Sequence, residues 1–368
     1  MRFFTLTSSP PCEVCGETGK YVSRALGVCL QCIRERFEEA KPYIEASHER
    51  SRREFGLPPS TPKRGSAKCT LCVNECRPEK GGVGLCGVRV AKEKGMANLA
   101  GGSNAYVEWY YDPLPTNCVA AWACGADIAS KQELGFVGKN LAVFYGGCSF
   151  DCLFCQNWHH RRLANSSRPK SPRELVEAVD NATYCICYFG GDPTPQLNHA
   201  LKASELALEK AHKEGRPLRI CFETNGTMHP KLLERMIDLA LQSGGTIKFD
   251  LKAWSEELNF ALCGVTNKRT LDNFALLAER AKERPEPPLA AASTLLIPGY
   301  VDEHEVRCLA EFIASVNPTV PYSLLAFHPE YLMVDLPPTP RSLAIRCYEA
   351  AMEAGLRRVR IGNVHLLW

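Results

Sequence analysis

The sequence has neither a long apolar run nor a marked excess of charge of one sign. No run of about eighteen uncharged apolar residues occurs in the 368 residues, so no membrane-spanning segment and no membrane partner are predicted. The opening MRFFTLTSSPPCEVC has too short an apolar run for a secretory signal. With a formal net charge of only +3, composition gives no reason to expect a nucleic acid as partner. We therefore expect a soluble, cytoplasmic protein.

Cysteine is the residue type that the sequence has in excess. The chain contains 19 cysteines, thirteen of them before residue 156. Reducing compartments disfavour structural disulfides, and thiol-rich cytosolic chains usually bind metals. We expect metals to organise the first part of the chain. A hydrophobic core is expected to organise the second part, in which the other six cysteines are scattered.

Two sets of four cysteines come first. One has the zinc-ribbon pattern of two C-x2-C pairs: Cys12, Cys15, Cys29 and Cys32. The other has the order C-x2-C-x3-C-x9-C: Cys69, Cys72, Cys76 and Cys86. Four thiolates make a closed site for zinc or iron, and the second set is also compatible with an auxiliary 4Fe-4S cluster. The metal in each set stays open at this point.

A Pro/Ser/Lys-rich stretch between these two sets is typical of a linker. We therefore divide the chain into four segments. They are a zinc-ribbon-like metal module with a helix (1–55), the linker (56–67), a cysteine-rich leader with the second metal site (68–130) and the barrel inferred next (131–368).

From residue 141 onward, short β-rich runs alternate with helical stretches. The runs are LAVFY, YCICYF, LRICFET, TIKFDL, AASTLLI and YSLLAF, with a seventh candidate at LRRVRIG. Ser171, Pro172 and Glu174 form a capping box at one helix start, and Gly244 is placed to end another helix. This rhythm predicts an α/β fold, a partial (β/α)6 TIM-like barrel preceded by small cysteine-rich metal-binding modules. Chemistry in such barrels occurs at the carboxyl ends of the strands.

A third cysteine group follows the first of these strands directly. The stretch FYGGCSFDCLFCQNWHHRR places Cys148, Cys152 and Cys155 in the loop after LAVFY. A structural zinc site would need a fourth protein ligand, and His159 and His160 give no standard zinc spacing. A 4Fe-4S cluster held by three thiolates instead keeps one iron open for a small molecule.

This loop resembles the hallmark of the radical S-adenosylmethionine (radical SAM) superfamily, C-x3-C-x-aromatic-C, with Phe154 as the aromatic residue. The resemblance implies a barrel of the radical SAM type with a 4Fe-4S cluster on the three cysteines. It also implies that S-adenosylmethionine binds the open iron through its amino and carboxylate groups. An electron from the reduced cluster would then yield a 5'-deoxyadenosyl radical, which abstracts hydrogen from carbon.

Segments at the next four strand ends are similar to those of the same superfamily, particularly of the pyruvate formate-lyase activating enzyme group. They are GGD, ETNG, DLK and TLLIPG. The resemblance implies that these segments and the loop aromatic contact S-adenosylmethionine through Phe154, Gly190, Gly191, Asp192, Glu223, Thr224, Asn225, Asp250, Lys252, Thr294, Ile297 and Pro298. Asp and Glu stand at positions 192 and 223 where the family usually has Glu and Asp.

The same resemblance implies a monovalent cation. Glu223, Thr224 and Asp250 are its candidate ligands, because hard oxygen ligands suit such an ion beside anionic groups. Ordinary local structure is the alternative reading of these segments. Gly-Gly-acid is a common turn, Asp250 and Lys252 would form a buried pair, and Pro298 would mark a turn.

Three further groups carry weaker signals. The segment 106–124 is rich in aromatic residues and holds Cys118 and Cys124; it either covers the barrel mouth and contacts a large planar cofactor or simply packs on the barrel. The HHRR stretch at 159–162 either meets a ligand or forms a solvated basic face. His328 and Tyr331 follow the sixth strand, where a barrel places substrate contacts.

We predict a radical SAM enzyme that modifies a carbon of a protein or peptide, expected to be a backbone Cα, and that uses a low-potential electron donor. Two outcomes stay open. One resembles glycyl-radical activation. The other is methyl transfer from cobalamin, as in radical SAM C-methyltransferases that act on a glutamine Cα in methyl-coenzyme M reductase, with 106–124 as the cobalamin contact. A non-catalytic metal-binding adaptor is the alternative from another class, but it does not explain the ordered segments after the triplet.

Overall fold

The computed structural model describes residues 9–19, 21–166 and 168–368. Its central feature is an eight-stranded sheet with the order β10-β9-β8-β7-β6-β5-β4-β3, in which β4 to β10 are parallel. β1 and β2 form a separate antiparallel pair. The strands are β1 (Arg89–Ala91), β2 (Met96–Asn98), β3 (Val107–Pro113), β4 (Lys139–Tyr145), β5 (Thr183–Phe189), β6 (Arg219–Thr224), β7 (Ile247–Asp250), β8 (Ala290–Leu296), β9 (Tyr322–Ala326) and β10 (Val359–Gly362).

Helices connect the parallel strands. Among the described residues, none is both long and apolar enough to cross a membrane. The helices are α1 (Leu30–Glu35), α2 (Phe37–Arg53), α3 (Ala121–Cys124), α4 (Ala126–Leu134), α5 (His160–Ser166), α6 (Pro172–Glu177), α7 (Leu197–Lys213), α8 (Pro230–Ser243), α9 (Glu256–Cys263), α10 (Lys268–Arg280), α11 (Glu303–Val316) and α12 (Arg341–Glu353).

The predicted fold class is confirmed, and all seven β-rich runs are parallel strands. β5 shows why they were recognisable: six of its seven residues are buried, as expected for a parallel strand covered on both faces. The predicted capping box is present as well, since Ser171 Oγ accepts from Glu174 N (3.3 Å) and Glu174 Oε2 accepts from Ser171 N (2.7 Å). Gly244, with φ of 72°, ends α8.

One strand of the sheet was not predicted. β3 lies in the leader, before the barrel boundary placed at 131, and pairs antiparallel with β4 from Val107 opposite Tyr145 to Pro113 opposite Lys139. Most of its side chains are partly or fully exposed, because it is the edge strand. Its sequence VEWYYDP therefore lacks the apolar run that marks the buried strands.

The zinc-ribbon-like module packs against the loop that follows β8. Tyr300 Oη accepts from Ser23 N (2.9 Å) and donates to Val28 O (3.1 Å). Arg34 donates to both carboxylate oxygens of Asp302, at 2.9 and 3.0 Å. The predicted linker is also attached to its neighbours, since Arg77 N donates to the carbonyl of Pro62 (2.6 Å). Both segments are thus held by tertiary contacts.

Residues 114–124, which we call the plug segment, cross the concave side of the sheet and are partly buried there. Trp122 Nε1 donates to Ser323 Oγ on β9 (2.9 Å), and that hydroxyl donates to the carbonyl of Val119 (3.0 Å). Cys118 meanwhile lies within 4.8 Å of Cys187 on β5. β5 and β9 are separated by three strands in the sheet, so a segment that contacts both must cross its concave side.

Candidate active site

A cavity of about 300 Å³ opens at the carboxyl ends of the parallel strands, within the size range of small-molecule sites. β4 to β9, the loop after β4 and the plug segment all contribute to its wall. Twelve of the residues predicted to hold the cluster or S-adenosylmethionine line it: Cys148, Cys152, Phe154, Cys155, Gly190, Gly191, Asp192, Glu223, Thr224, Asn225, Asp250 and Lys252.

The cysteine loop is held from two sides. Asn225, at the end of β6, donates through Nδ2 to Cys148 Sγ (3.7 Å). The carboxyl end of α9 holds the middle of the loop, where the amide of Asp151 donates to the carbonyl of Cys263 (2.8 Å). The thiol of Cys263 also lies 3.5 Å from Cys152 Sγ. Cys263 was not predicted as part of the site, because it is 111 residues away in sequence and only the packing of α9 brings it there.

Asp151, between the first two cysteines of the triplet, is the centre of a buried polar cluster. Its side chain is 2% exposed and accepts from His48 Nδ1 (2.9 Å), Ser51 Oγ (3.0 Å) and an Arg161 guanidinium nitrogen (2.8 Å). Arg52 lies at 3.5 Å. Burial by itself would raise the pKa of Asp151, but the His48 hydrogen bond and the positive charges lower it to about 2.

This cluster joins the N-terminal helix α2 to the cysteine loop, because His48, Ser51 and Arg52 all belong to α2. The helix of the first module thus has a direct contact with the loop that carries the triplet. No sequence motif indicates this contact, since Asp151 lies between the cysteines without belonging to their motif.

The two glycines of the GGD segment are required by close packing. Gly190 and Gly191 have φ of 70° and 62°, which other residues rarely adopt. A Cβ on Gly190 would lie 1.7 Å from Phe144 Cδ1, and one on Gly191 would lie 2.2 Å from the carbonyl of Tyr145. The glycines therefore allow the loop after β5 to pack closely against β4 at the cavity wall.

Asp192 lines the cavity, but both of its oxygens already accept hydrogen bonds from the protein. Oδ1 accepts from Thr194 N (2.8 Å), and Oδ2 accepts from Thr224 Oγ1 (2.9 Å) and Asn225 N (2.8 Å). Burial raises the pKa of Asp192 despite these donors. Asp192 thus ties the loop after β5 to the end of β6, a positioning role that the motif alone did not indicate.

The candidate monovalent-cation ligands do not converge on an open position. The Lys248 ammonium donates to Glu223 Oε2 and lies 3.1 Å from Asp250 Oδ1. Thr224 is directed to Asp192 instead. An ammonium group of the chain is therefore already paired with the two carboxylates that were expected to bind a metal cation.

Asp250 and Lys252 form the buried ion pair that the sequence analysis gave as the alternative to ligand binding. Both also line the cavity. Lys252 Nζ donates to Asp250 Oδ2 (3.0 Å), and Ser293 Oγ donates to Asp250 Oδ1 (2.6 Å). Burial alone would raise the pKa of Asp250, but the charges of Lys248 and Lys252 hold it well below its usual range. The carboxylate is therefore ionised beside the cavity.

The predicted contacts on β8 and in the loop after it do not line the cavity. Ser293 and Leu295 line the cavity, whereas Thr294 is directed away, donating to the carbonyl of Leu251 (2.8 Å). Ile297 is fully buried in the core, and Pro298 lines a separate surface groove next to Tyr21 of the zinc-ribbon-like module. The period of two along a strand decides this: residues 293 and 295 share the cavity face and 294 does not.

The two candidate substrate contacts after β9 do not line the cavity either. Tyr331 Oη lies 2.9 Å from Ser51 Oγ, and its ring stacks on Trp158 with centroids 5.9 Å apart. It therefore helps attach α2 to the cysteine loop. The side chain of His328 is 48% exposed, and its nearest charged neighbour is Glu330 at 3.9 Å.

The basic stretch after the triplet is divided between solvent and core. His159 and Arg162 are exposed, as a solvated face would be, but His160 and Arg161 are buried. His160 lines the cavity, and burial together with the Arg161 charge lowers its pKa to about 3. Its Nδ1 is buried and has no hydrogen-bond partner within the described part of the chain. A neutral imidazole that faces the cavity was not predicted.

The aromatic residues of 106–124 mostly pack on the barrel. Tyr110 lines the cavity and stacks on Phe144 with centroids 5.5 Å apart. Trp109 carries the Lys170 ammonium over its ring at 4.2 Å, and Trp122 lies inside the barrel. These contacts match the packing alternative.

The two N-terminal cysteine sets differ in spacing. The first brings four Sγ atoms within 4.8 Å of one another, with Cys12 to Cys32 at 3.8 Å and Cys15 to Cys29 at 3.9 Å. A tetrahedron with Zn–S bonds of 2.3 Å has edges of about 3.8 Å, so this set fits one ion. In the second set all four cysteines are buried, yet in the described residues no three of their sulfur atoms lie that close together.

The main cavity fits the groups that the triplet implies. Three thiols with no fourth protein ligand in the motif face one space, and the backbone of Gly190 and Gly191 forms part of the adjoining wall. An anionic and a cationic side chain, Asp250 and Lys252, face the same cavity, and they suit the amino and carboxylate groups of an amino acid moiety. We conclude that the residues present are suited to a three-thiolate cluster and S-adenosylmethionine.

The model of the Radical SAM superfamily matches residues 142–313. These residues form a radical SAM domain. The chain is 26% identical over 231 residues to an uncharacterized protein of Methanocaldococcus jannaschii, covering 61% of this chain and 63% of that protein, so it spans less than two thirds of this relative. The radical SAM domain is also homologous to the pyruvate formate-lyase 1-activating enzyme of Escherichia coli strain K12. That match is 25% identical over 211 residues, 55% of this chain and 80% of the enzyme.

Two solved structures are similar in part. Streptococcus suis SuiB bound to S-adenosylmethionine has a TM-score of 0.46 and 15% identity, covering 65% of this chain and 54% of that chain. A domain of a pyruvate formate-lyase-activating enzyme from Bacteroides vulgatus has a TM-score of 0.38 and 21% identity, covering 48% of this chain and 98% of that chain.

Proposed function

We propose that the protein is a radical SAM enzyme that abstracts hydrogen from a carbon of a protein or peptide. One observation carries the proposal: the three thiols of the triplet and the strand-end segments GGD, ETNG and DLK line a single cavity. A metal-binding adaptor would not need these segments to meet. When bound, the cluster and S-adenosylmethionine supply the electron and the carbon radical.

The residues of this chain hold and orient these groups. In the proposal Cys148, Cys152 and Cys155 are the cluster ligands. Asn225 orients the first of them, and Asp151 fixes the loop between them. Because these contacts are buried, the loop keeps its shape when the ligands change their charge.

Polar groups around the cavity suit the amino acid moiety of S-adenosylmethionine. In the proposal the Gly190–Gly191 backbone and Asp192 bind the amino group, since Oδ1 of Asp192 accepts only one hydrogen bond from the protein and retains an acceptor site. Lys252 offers a cation for the carboxylate and lies 5.8 Å from the Phe154 ring. His160, held neutral by its low pKa, can accept a hydrogen bond at Nδ1 without adding charge.

The substrate class rests on homology. The Escherichia coli relative is named as the activating enzyme of pyruvate formate-lyase, which is a protein. We therefore propose a polypeptide substrate, modified at a carbon that the cavity admits and expected to be a backbone Cα.

The test is S-adenosylmethionine cleavage by the anaerobically purified, iron- and sulfide-reconstituted full chain under a low-potential reductant. We expect 5'-deoxyadenosine from the wild type and none from Cys155→Ser. Cys308→Ser is the matched control, because Cys308 lies on α11, away from the cavity, and it should behave as the wild type. A reconstituted wild type that forms no 5'-deoxyadenosine would refute the proposal.

Methyl transfer from cobalamin is the second outcome for the same radical. Most aromatic residues of 106–124 pack on the barrel, and Tyr110, which lines the cavity, stacks on Phe144, so this segment gives no specific support to methyl transfer. The cobalt content of protein purified from cells supplied with cobalamin separates the outcomes. Cobalt near one atom per chain would select methyl transfer.

For the second cysteine set we propose an auxiliary iron–sulfur cluster that passes electrons inward. Its wider sulfur spacing supports a cluster over a single zinc ion, and Asn74 links Cys72 Sγ (3.7 Å) with the carbonyl of Ser149 (2.7 Å), the residue after Cys148. Cys72→Ser should then lose about four iron atoms per chain. Loss of zinc without loss of iron would contradict this assignment.

A further inference from the structure

A second cavity, of about 30 Å³, lies inside the barrel next to the active-site cavity. Glu223 and Lys248 line both. The smaller cavity is surrounded by an unusual number of thiols: Cys118, Cys124, Cys185, Cys187 and Cys221. In the sequence the first two form an isolated pair and the other three are scattered. The fold brings all five together.

Strand geometry accounts for this convergence. Cys185 and Cys187 are two residues apart on β5, as Cys221 and Glu223 are on β6, so each pair faces one side of the sheet. Cys187 is also the register partner of Cys221. All four side chains therefore face the barrel interior, where the plug segment adds Cys118.

Three side chains at this cavity are close enough to bind one metal ion together. Cys118 Sγ, Cys187 Sγ and a carboxylate oxygen of Glu223 lie within 4.8 Å of one another. Glu223 Oε1 is buried and has no hydrogen-bond partner in the described ranges, while Oε2 accepts from Lys248. A buried oxygen without a donor is costly, and a bound cation would remove that cost.

Charge and volume indicate one divalent ion. Two thiolates and a carboxylate carry three negative charges, which a divalent ion and the Lys248 ammonium together neutralise. Arg219, the other cation at this cavity, is engaged with the carbonyl of Cys124 (3.1 Å) and lies over the Tyr184 ring. A cavity of about 30 Å³ admits one ion with a water molecule or two and is too small for an iron–sulfur cluster.

We propose that Cys118, Cys187 and Glu223 bind a single zinc ion inside the barrel. Thiolate and carboxylate ligands suit zinc, and the fourth position falls to a water molecule or to one of the neighbouring cysteines. The ion joins the plug segment to β5 and β6. Because Glu223 also lines the active-site cavity, the ion fixes that part of its wall. Binding releases the two thiol protons.

The test is the zinc content of the full chain, purified anaerobically, treated with a mild chelator, saturated with zinc and freed of excess by gel filtration. Cys118→Ala is the main variant, because Cys118 lies on a loop. We expect it to hold one zinc per chain fewer than the wild type, and Cys187→Ser to lose the same equivalent. Cys308→Ala, outside both cavities, should lose none.

Two results would overturn the proposal. One is equal zinc content in the wild type and in a Cys118→Ala protein whose circular dichroism matches that of the wild type. The other is a disulfide between Cys118 and Cys187 in the anaerobic wild type, detected by mass spectrometry after alkylation. The outcome is independent of radical chemistry, since Cys155→Ser should abolish S-adenosylmethionine cleavage while retaining the zinc bound by Cys118 and Cys187.

Discussion

The clearest test of how the N-terminal helix supports the active site is the substitution Asp151→Asn. It retains the shape of the side chain and removes its charge. Arg161 and Arg52, which are 1% and 3% exposed at their side chains, would then be buried without an anionic partner. The hydrogen bond from His48 would be weakened at the same time.

The expected loss is large for one substitution. Removing one partner of a buried ion pair costs about 3–5 kcal/mol, because the other charge stays buried and unpaired. The pKa of Asp151 gives a second figure. A fall from 3.8 to about 2 corresponds to roughly 2 kcal/mol of folding free energy at neutral pH. Since the folded pKa is the lower one, this contribution is complete above about pH 4 and is lost as the pH falls towards 2.

The assay is urea unfolding of the anaerobic full chain, followed by tryptophan fluorescence, with hydrogen exchange of residues 148–155 as the local readout. Trp158 stacks on Tyr331 beside the buried polar cluster around Asp151, so its fluorescence should report the loss of that polar cluster. The control Glu353→Gln removes a carboxylate that is 64% exposed and paired with Arg307, and should cost less than about 1 kcal/mol. Equal midpoints and equal exchange for the two variants would refute the reasoning.

Three further predictions follow from the cavity and its supports. Lys248→Met removes the ammonium between two carboxylates, so S-adenosylmethionine cleavage by this variant should become dependent on added potassium. Wild-type cleavage should be the same in potassium and choline buffers. Potassium dependence of the wild type would contradict this reasoning. Gly190→Ala places a Cβ 1.7 Å from Phe144 and should weaken S-adenosylmethionine binding in equilibrium dialysis at least tenfold, about 1.4 kcal/mol; unchanged affinity would show that the backbone there is not needed. Ser171→Ala removes the N-cap of α6 and should lower the free energy of unfolding by about 1 kcal/mol. Arg173→Ala, in the same helical turn but outside the cap hydrogen bonds, should not.

Local patterns predicted most of the fold. The buried parallel strands are continuous apolar runs, and the capping box at Ser171 depends on residues three positions apart, so both are visible in a short window of sequence. The edge strand β3 was missed because half of it faces solvent. At the site, spacing within one loop identified the triplet, and strand-end position identified GGD, ETNG and DLK.

Contacts between distant residues were beyond the same reasoning. β8 shows a further limit, within a strand: the family pattern pointed to Thr294, while the pleat directs Ser293 and Leu295 to the cavity. The Lys248 ammonium between Glu223 and Asp250 depends on the register of β6 and β7. None of these relations is encoded by residue spacing alone.

The sequence by itself determined the class of fold and the type of chemistry, because both depend on residues that are neighbours along the chain. Only the tertiary structure decided which cysteines meet. Cys263 reaches the triplet through α9, and Cys118 reaches Cys187 because the plug segment crosses the barrel. The tertiary structure likewise joined α2 to the cysteine loop through Asp151. Side chains far apart in sequence become neighbours only when strands pair and helices pack, and that is where the supports of this active site were set.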